Sequence, residues 1–317
     1  MAGKSISPPS IGQPKPRPNF LVSAATNLHS WYGKKSYRSS SSKNLSTNSN
    51  NIKVVCVADT HNTQQDLPPG DLLVHAGDLS QYGTFDEIQK QLNWLSAQPH
   101  KFKVAIAGNH DLLLDADFCN THPDRELEDG RETAYKFTNN SVELEFDDTG
   151  RKVKIFGSPL TPRFGNFAFQ YDRAEAEAGV WERLGIPRDT DILLMHGPPA
   201  GLLDDDGKGC EHLLKELWRI QPRLMVFGHI HPGRGQRRIR FDEIEACYED
   251  IILKRPRQLL NFLVLTWKIA WVVFVGVILR QRGDNRAAGC SESQLVNAVV
   301  VGGKNGSERR EAICVVI

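Results

Sequence analysis

Length, composition and charge restrict the classes of protein to which this chain can belong. Its 317 residues, 40% hydrophobic and 24% charged, can bury a substantial core as one large domain or two small ones. Residues 1–50 carry seven Lys or Arg and no acid, so the remainder has 32 basic and 38 acidic residues, a net charge of −6. That balance excludes the basic footprint of a general nucleic-acid binder. Six cysteines without a CxxC pair argue against a zinc ribbon or disulfide scaffold and favour a reducing, cytoplasmic location.

The N-terminal residues 1–51 predict a disordered, basic arm. Five prolines precede residue 20, and a run of serines at 39–42 opens a Ser/Thr/Asn-rich stretch. Such a composition does not bury enough apolar surface to offset the entropy of ordering. The prolines also argue against the amphipathic helix of an organellar transit peptide, and no long apolar core indicates a secretory signal.

From Ile52 onward, short β-rich runs alternate with amphipathic patterns. Five apolar runs predict buried strands at 52–58, 72–75, 104–107, 192–195 and 224–227. Three helices are predicted, from Thr84 (a capping box with Glu87) to about Ala97, from Ala174 to Leu184 and from Glu211 to Ile220. Two hairpins are predicted, one joining 142–146 to 153–156 and one joining 295–301 to 312–317. Strands that alternate with helices indicate an α/β fold.

A long apolar stretch from Leu259 to Leu279 interrupts this pattern near the C-terminus. It contains a single charged residue, Lys268, and basic residues flank it on both sides. Its length is enough to span a bilayer, but a lysine near the middle of a span is costly. Spanning would also separate the final strands from the rest of their sheet. Three interpretations stay open: a helix packed against protein, a helix lying in a membrane interface, and a true span.

Polar residues follow each of the five predicted buried strands. They are Asp59, His61, Asp78, Asn109, His110, His196, His229 and His231. In open α/β sheets ligands bind at the carboxyl ends of the strands, so five such ends can converge on one crevice. Imidazole, carboxylate and one amide, with no thiolate, suit Mn, Fe, Zn or Ni rather than a thiolate-held structural zinc.

Each of these motifs, taken alone, has an ordinary structural explanation. The Asp59-x-His61 pair can be a strand cap, Gly77-Asp78 an ordinary turn and His196 a hydrogen-bonded loop histidine. All five motifs in this order, each closing an apolar strand, are hard to obtain by accident. Together they predict a metal site.

The order D-x-H, G-D, G-N-H-D, H and G-H-x-H resembles the calcineurin-like metallophosphoesterase superfamily over about Ile52 to His231. Segments 157–165 (GSPLTPRFG), 196–199 (HGPP) and 222–224 (PRL) resemble its small, single-domain eukaryotic branch. The resemblance implies two β-sheets sandwiched between helices. The apolar stretch adds to this fold a hydrophobic helical insertion near the C-terminus. We expect the domain to comprise residues 52–240 and 294–317. The N-terminal arm and the insertion at 241–293 depart from the family's pattern.

The resemblance also implies a metal-binding role for seven of these residues. Two sets of three are carried over by position, each holding one ion: Asp59, His61 and His231, and Asn109, His196 and His229. Asp78 would bridge the two ions. A bridging carboxylate can hold two cations about 3.5–4 Å apart, a spacing at which a shared water loses its proton near neutral pH.

His110 remains as an imidazole beside the implied site. It would protonate the leaving oxygen or offset charge in the transition state, with Asp111 as its orienting partner. Arg163 and Asn109 are expected substrate contacts. An arginine can bind a phosphate oxygen, and an aromatic such as Phe164 or Phe167 can stack on a base. Alternatively, residues 163–167 simply pack a loop.

The predicted function is therefore hydrolysis of phosphodiesters or small phosphomonoesters, nucleotides included, by a hydroxide that two metal ions activate. The expected cofactors are two divalent or trivalent ions, with Mn first and Fe, Zn, Ni or Mg as alternatives. A competing hypothesis is a catalytically weak nucleotide- or partner-binding protein on the same fold. A third is a membrane-tethered adaptor that works through residues 259–279, which leaves membrane association open beside a cytoplasmic location.

Overall fold

The computed structural model describes residues 19–41, 51–123, 139–146, 150–173, 177–281, 291–302 and 307–317. Within these ranges the α-helices are α1 (Phe20–Ser41), α2 (Phe85–Ser96), α3 (Ala116–Thr121), α4 (Glu177–Leu184), α5 (Glu211–Ile220), α6 (Glu243–Ile252) and α7 (Gln258–Gln281). The first seven strands are β1 (Lys53–Val57), β2 (Leu72–Ala76), β3 (Phe102–Ile106), β4 (Asn140–Phe146), β5 (Arg151–Ser158), β6 (Thr161–Pro162) and β7 (Gln170–Tyr171). The other seven are β8 (Ile192–Met195), β9 (Leu224–Phe227), β10 (Gly235–Arg240), β11 (Glu292–Asn297), β12 (Val301–Gly302), β13 (Glu308–Arg309) and β14 (Ile313–Val316).

Two sheets form the centre of the molecule. The first has the strand order β14-β1-β2-β3, and the second has the order β10-β11-β9-β8-β5-β4. Strands β1, β2 and β3 are parallel to one another, as are β5, β8, β9 and β11, while β14, β4 and β10 run antiparallel at sheet edges. The parallel strands therefore deliver the residues that follow them to one end of each sheet.

The two sheets pack face to face across a shared core. Side chains of β1 that point inward, Val54 and Cys56, are fully buried in one cluster with Ile155, Leu194 and Val226 of the second sheet. Because side chains alternate along a strand, the residues between them must face the other way. Each fully buried apolar side chain contributes about 1.5–3 kcal/mol of transfer free energy, so this interface supplies a large part of the stability.

Helices cover the outer faces of both sheets. Val57 of β1 packs with Leu95 of α2, while Leu193 of β8 and Phe227 of β9 pack with Leu217 of α5. Both faces of the central strands are therefore buried, which explains why their sequences are continuous apolar runs rather than alternating ones. The predicted two-sheet sandwich between helices is confirmed.

Local sequence signals start and end the covering helices as expected. Thr84 and Glu87 form a reciprocal capping box before α2, which runs to Ser96. Helix α5 has the predicted limits, Glu211 to Ile220, and ends where Gln221 adopts a left-handed conformation with φ of 53°.

A separate helical unit, formed by α1, α6 and α7, contradicts part of the predicted disordered arm. Phe20–Ser41 is α1, and its Ala25 and Tyr32 are buried with Tyr248 of α6 and Ile269 of α7. Partners more than 200 positions away bury its apolar side, and no local signal in the sequence reveals them. Residues 1–18 and 42–50 of the predicted arm lie outside the described residues. The apolar helical insertion is present as α6 and α7.

One predicted hairpin forms in full, and the other forms only as the two-residue antiparallel pair of β12 with β13. Strands β4 and β5 pair antiparallel over Asn140–Phe146 and Arg151–Ser158, as expected. The two C-terminal runs instead enter different sheets, since β11 pairs with β9 and β10, while β14 pairs with β1. The chain between them crosses from one sheet to the other, and Ala58 bridges to Val299 at the crossing. Apolar alternation predicted the strands but not their partners.

Candidate metal centre

The loops after the parallel strands of both sheets meet at one end of the sandwich. The backbone N–H of Asp59 donates to Gly77 O at 2.9 Å, which joins the loops after β1 and β2. The N–H of Gly228 donates to His196 O at 2.9 Å, which joins the loops after β9 and β8. The N–H of His229 donates to both carboxylate oxygens of Asp59 at 3.0 Å, which links the two sheets.

Four of the candidate ligands adopt a strained backbone. Asp59, His61, Asp78 and His229 have φ values of 53°, 42°, 54° and 66°, in the left-handed region. For residues other than glycine this conformation costs about 1–2 kcal/mol each. Strain of this kind persists where the surrounding structure holds it and is concentrated at functional sites.

Two glycines allow the carboxylates to approach the backbone closely. A Cβ at Gly228 would overlap the carboxylate of Asp59, and a Cβ at Gly108 would overlap the backbone and carboxylate of Asp78. The neighbouring His110 N–H donates to Asp78 Oδ1 at 2.8 Å. Any larger residue at either glycine would displace a candidate ligand.

Ligand atoms from distant parts of the chain lie within 4.8 Å of one another in three overlapping groups. The groups are Asp59, His61 and His231; Asp78, His196 and His229; and His61, Asp78 and His110. The first two match the two predicted metal sets, apart from Asn109. Its Oδ1 lies 3.0 Å from His196 Nε2, which places Asn109 beside the second group.

Asp78 lies between the two sets and faces both. Its Oδ1 is 3.3 Å from His196 Nε2, and its Oδ2 is 3.8 Å from His61 Nε2. In the first set, Asp59 Oδ1 is 3.2 Å from His231 Nε2. A buried carboxylate whose two oxygens face different groups of imidazoles has the arrangement of a bridging ligand.

Burial and charge determine the protonation of these carboxylates. Burial acts to raise the pKa of Asp78, but the charge of His196 and its hydrogen bond, with the charges of His61 and His110, outweigh it and lower that pKa. Burial likewise acts to raise the pKa of Asp59, and the hydrogen bond from His231 with the charge of His196 lowers it overall. Both carboxylates are therefore ionised at neutral pH, as metal ligands must be.

The pKa values of two buried imidazoles, His196 and His229, shift in opposite directions. Burial acts to lower the pKa of His196, but the charge of Asp78 and their hydrogen bond raise it to about 9. Burial lowers the pKa of His229 to about 4, and the charge of His196 adds to that effect. Without a cation, a proton on His196 partly compensates the buried carboxylates. A bound cation would displace that proton, so metal affinity should rise with pH.

Backbone carbonyls orient two of the imidazoles among the candidate ligands. His196 Nδ1 donates to Ala76 O at 2.8 Å, and His61 Nδ1 donates to Ser80 O at 3.3 Å. A carbonyl oxygen only accepts hydrogen bonds, so in the neutral ring the Nε2 atom carries a free lone pair. Such outer contacts fix the tautomer of ligating histidines in metal sites. The nitrogen and oxygen donors, their burial and their orientation fit a pair of cations.

His110 occupies the edge of the cluster, beside the candidate ligands. Its ring contacts His61 edge-on, with centroids 4.8 Å apart, and lies 5.0 Å from the ring of Phe167. Its Nδ1 donates a hydrogen bond to Gln81 O at 2.9 Å, and Nε2 takes no part in that bond. His110 is also within ligand distance of Asp78, so its predicted role as a non-ligand stays a prediction.

Asp111 has a different task from the one the sequence suggested. Its carboxylate accepts backbone N–H groups of Leu79, Ser80 and Gly108 at 2.8–3.1 Å and the Ser80 hydroxyl at 2.6 Å. The hydrogen bond that orients His110 is donated to Gln81 O, not to Asp111. Burial raises the pKa of Asp111 to about 6, and the charge of Asp78 contributes. Asp111 clamps the loop that carries Asp78.

An aromatic pair lies on the rim of the cluster. Phe164, 64% exposed, stacks on Phe167 with ring centroids 5.3 Å apart and meets His229 edge-on at 5.5 Å. Arg163 is exposed, and its side chain makes no hydrogen bond or ion pair within the described part of the chain. The structure thus places Phe164 against the candidate ligand His229 and Phe167 against His110. The predicted substrate contact of Arg163 is left untested.

Sequence reasoning missed two supporting contacts of the site. Gln81 acts through its backbone carbonyl, which no sequence pattern reveals. His75, at the end of β2, is fully buried and shares a hydrogen bond of 3.0 Å with the Thr60 hydroxyl. Burial lowers the pKa of His75 to about 4, so it is neutral. The sequence signal that could have found His75 is its position as a histidine inside an apolar run.

Comparison with known families agrees with this geometry. The model of the calcineurin-like phosphoesterase family matches residues 52–233, more than half of the chain. The chain belongs to the calcineurin-like phosphoesterase family. The matched range begins at the start of β1 and contains all the candidate ligands.

Curated relatives are consistent with the eukaryotic branch. A protein of Emericella nidulans named "Probable rhamnogalacturonate lyase C" is 42% identical over 271 residues, which cover 85% of this chain and 25% of that protein. Human "Metallophosphoesterase domain-containing protein 1" is 37% identical over 58% of this chain and 61% of its own length. A UPF0046 protein of Caenorhabditis elegans is 39% identical over 58% of this chain and 65% of its own. The chain spans a quarter of the first relative and less than two thirds of the others.

Proposed function

We propose that this protein is a metal-dependent phosphoric ester hydrolase that acts on phosphodiesters or small phosphomonoesters, nucleotides among them. The observation that carries the proposal is Asp78, whose two oxygens face two separate groups of imidazoles. Membership of the calcineurin-like phosphoesterase family supports the reaction class. The nitrogen and oxygen donors support Mn, with Fe, Zn, Ni and Mg as alternatives.

We infer that the two predicted sets of residues each hold one ion, with Asp78 between them. When bound, a pair of divalent ions supplies an activated water and offsets charge on the phosphoryl oxygens. Asp59 and Asp78 remain ionised because histidine contacts lower their pKa values despite burial. Ala76 O and Ser80 O hold the rings of His196 and His61 so that each presents Nε2.

His110 is the proposed proton donor to the leaving oxygen. Gln81 O fixes the position of its Nδ1 proton, so the ring can carry a second proton on Nε2 and release it. A positioned general acid contributes about 10²–10⁴ in rate. The Phe167 ring, 5.0 Å away, limits the movement of the imidazole.

The aromatic rim supports a substrate with a flat leaving group. Phe164 is mostly exposed and stacks on Phe167, so one of its faces is available next to His229. A nucleobase or aryl group stacked there would bring its phosphate toward the ligand cluster. Arg163 and Asn109 stay the proposed contacts for phosphate oxygens.

A substrate and metal panel tests the proposal. The full chain, loaded separately with Mn, Fe, Zn, Ni or Mg, would be assayed with an aryl phosphodiester, an aryl phosphomonoester and nucleoside monophosphates. We expect turnover with Mn and at least one ester, together with two bound ions per chain by elemental analysis. Two bound ions without hydrolysis of any ester would contradict the proposal.

The same panel distinguishes the competing binding function. The outcome that favours a nucleotide-binding protein is tight binding of nucleotides, measured calorimetrically, with no turnover of any ester at full metal occupancy. A cytoplasmic location is part of the proposal. Its support is that no disulfide joins the cysteines within the described residues, which are Cys56, Cys119, Cys210, Cys247 and Cys314.

A further inference from the structure

Helix α7 presents two different faces. Leu265 and Ile269 are buried against α1 and α6 in one apolar cluster. On the opposite side, residues spaced by three or four positions form a continuous stripe, and each is between 50% and 68% exposed: Leu260, Leu263, Trp267, Trp271 and Phe274. Such spacing places them in one row along the helix.

The exposed row, called here the α7 stripe, is ordered within itself. The rings of Trp267 and Trp271 stack with centroids 6.2 Å apart, and Trp271 meets Phe274 at the same distance. Gln258–Val275 is long and apolar enough to cross a membrane by length and composition. An apolar surface of this extent on a single chain marks a binding face.

Charge around the stripe indicates its partner. Residues 254–283 contain no Asp or Glu and six basic residues: Lys254, Arg255, Arg257, Lys268, Arg280 and Arg282. Lys254 and Arg257 are exposed beside the start of α7 and make no ion pair within the residues that the structure describes. Two copies placed stripe to stripe would bring these basic ends together and repel. An anionic lipid surface would attract them.

The packing of α7 decides its orientation toward that surface. Near its middle, Lys268 pairs with Glu243 of α6, and at its start Gln258 accepts a hydrogen bond of 3.2 Å from Asn19. In the same unit, Glu245 of α6 pairs with His29 of α1 and with Arg237. A spanning α7 would carry these charged groups into hydrocarbon, which is unfavourable. A helix lying in the interface keeps them on the aqueous side.

We propose that the α7 stripe inserts into the interface of an anionic membrane, with α7 parallel to the surface. Tryptophan rings prefer that interfacial depth, and lysine and arginine contact lipid phosphates there. The insertion begins after Arg240, the last residue of β10, which pairs with Glu292 of β11. At the opposite end of this strand pair, Gly235 pairs with Asn297. Asn297 contacts Ile230 O beside the metal centre, so the insertion leaves the sheet at the far end. The metal centre would face the aqueous phase.

Vesicle flotation with the full chain tests this proposal. We expect binding to vesicles of phosphatidylcholine with phosphatidylserine, weak binding to phosphatidylcholine alone, and partial release by high salt. Replacing both stripe tryptophans, Trp267→Ser with Trp271→Ser, should lower partitioning at least about tenfold. The matched control Val142→Ser removes an exposed apolar side chain of β4 and should bind like the wild type.

A second pair of variants tests the charge argument. Lys254→Glu with Arg257→Glu should weaken binding only to the anionic vesicles, whereas Lys90→Glu on α2 should have little effect. Circular dichroism and thermal melting verify folding of each variant. Quenching by brominated lipids should place the tryptophans at interfacial depth, and quenching at the bilayer centre would overturn the in-plane orientation.

Two further results would overturn the proposal. One is wild-type protein that floats with neither kind of vesicle. The other is equal binding by the Trp267→Ser/Trp271→Ser variant and the wild type. A dimer that the same tryptophan variant abolishes, in the absence of vesicle binding, would assign the stripe to a second copy.

Discussion

The metal centre buries carboxylates, whereas the helical unit exposes tryptophans. At the metal centre, charged side chains such as Asp59 and Asp78 are buried, and apolar residues cover both faces of the sheets. In the helical unit, Trp267 and Trp271 are exposed, while Glu245 is buried in ion pairs. A buried charge is tolerated only with partners, so its presence points to chemistry inside the chain. An uncovered apolar row points to a partner outside it.

Substitution of the bridging residue would break the first half of this comparison. Asp78→Asn should abolish binding of both ions and lower turnover by on the order of 10⁴-fold or more, because the paired cations supply most of the catalysis. Elemental analysis and steady-state kinetics measure the two effects. The control Asp189→Asn removes an exposed carboxylate that pairs with Lys154 on the surface. Full metal occupancy in the Asp78 variant would disprove the bridging role.

Removal of His110 separates proton transfer from metal binding. His110→Ala should lower kcat by about 10²–10⁴-fold, because the variant lacks the positioned general acid. Both ions should stay bound, because no metal ligand is removed. His212→Ala on α5, outside the ligand cluster, is the matched control. The third candidate group, which places His110 with His61 and Asp78, makes this a sharp test. Loss of an ion in parallel with activity would show that His110 is a ligand.

A buried acid in the helical unit should make stability depend on pH. Burial raises the pKa of Glu249 to about 8, and the charge of Glu245 contributes, while Trp218 donates a hydrogen bond of 2.8 Å to it. Between about pH 4.5 and 8 the folded state therefore binds more protons than the unfolded state, so stability falls as pH rises through this window. Glu249→Gln should remove this part of the slope.

The expected size of the Glu249 effect is a few kcal/mol across the window, since each pKa unit corresponds to about 1.4 kcal/mol. Urea unfolding of metal-loaded wild type and variant at pH 5 and pH 8 measures it as a difference, which cancels the titration of other groups. Parallel pH profiles for the two proteins would refute it. The substitution Glu311→Gln, at an exposed acid outside the helical unit, is the surface control.

The smallest effect is expected at the rim of the metal centre. Phe164→Ala should raise KM for a nucleotide about tenfold, because stacking on a base is worth about 1–3 kcal/mol. An ester with a small alkyl group should show little change, and Phe164→Tyr should restore the nucleotide KM. An equal rise in KM for both esters would assign Phe164 to loop packing.

Much of the sandwich was predictable because its signals are local. Five apolar runs closed by polar residues predict five strands, four of them buried and the fifth, β3, half-buried at a sheet edge. These strands carry all seven candidate ligands to one place. Capping residues set the limits of α2 and α5. The main-chain contact of Gln81 was beyond such reasoning. So were the contacts of Asp111, whose carboxylate accepts hydrogen bonds from Leu79, Ser80 and Gly108 instead of orienting His110.

The sequence by itself determined the α/β class, the candidate ligands and the apolar character of α7, because periodicity and residue chemistry are properties of short segments. Only the tertiary structure decided that Phe20–Ser41 is a helix, since its burial depends on α6 and α7. It also decided that β11 and β14 join different sheets, because pairing is a choice among distant partners. The exposed side of α7 was decided in the same way, by which of its faces α1 and α6 cover.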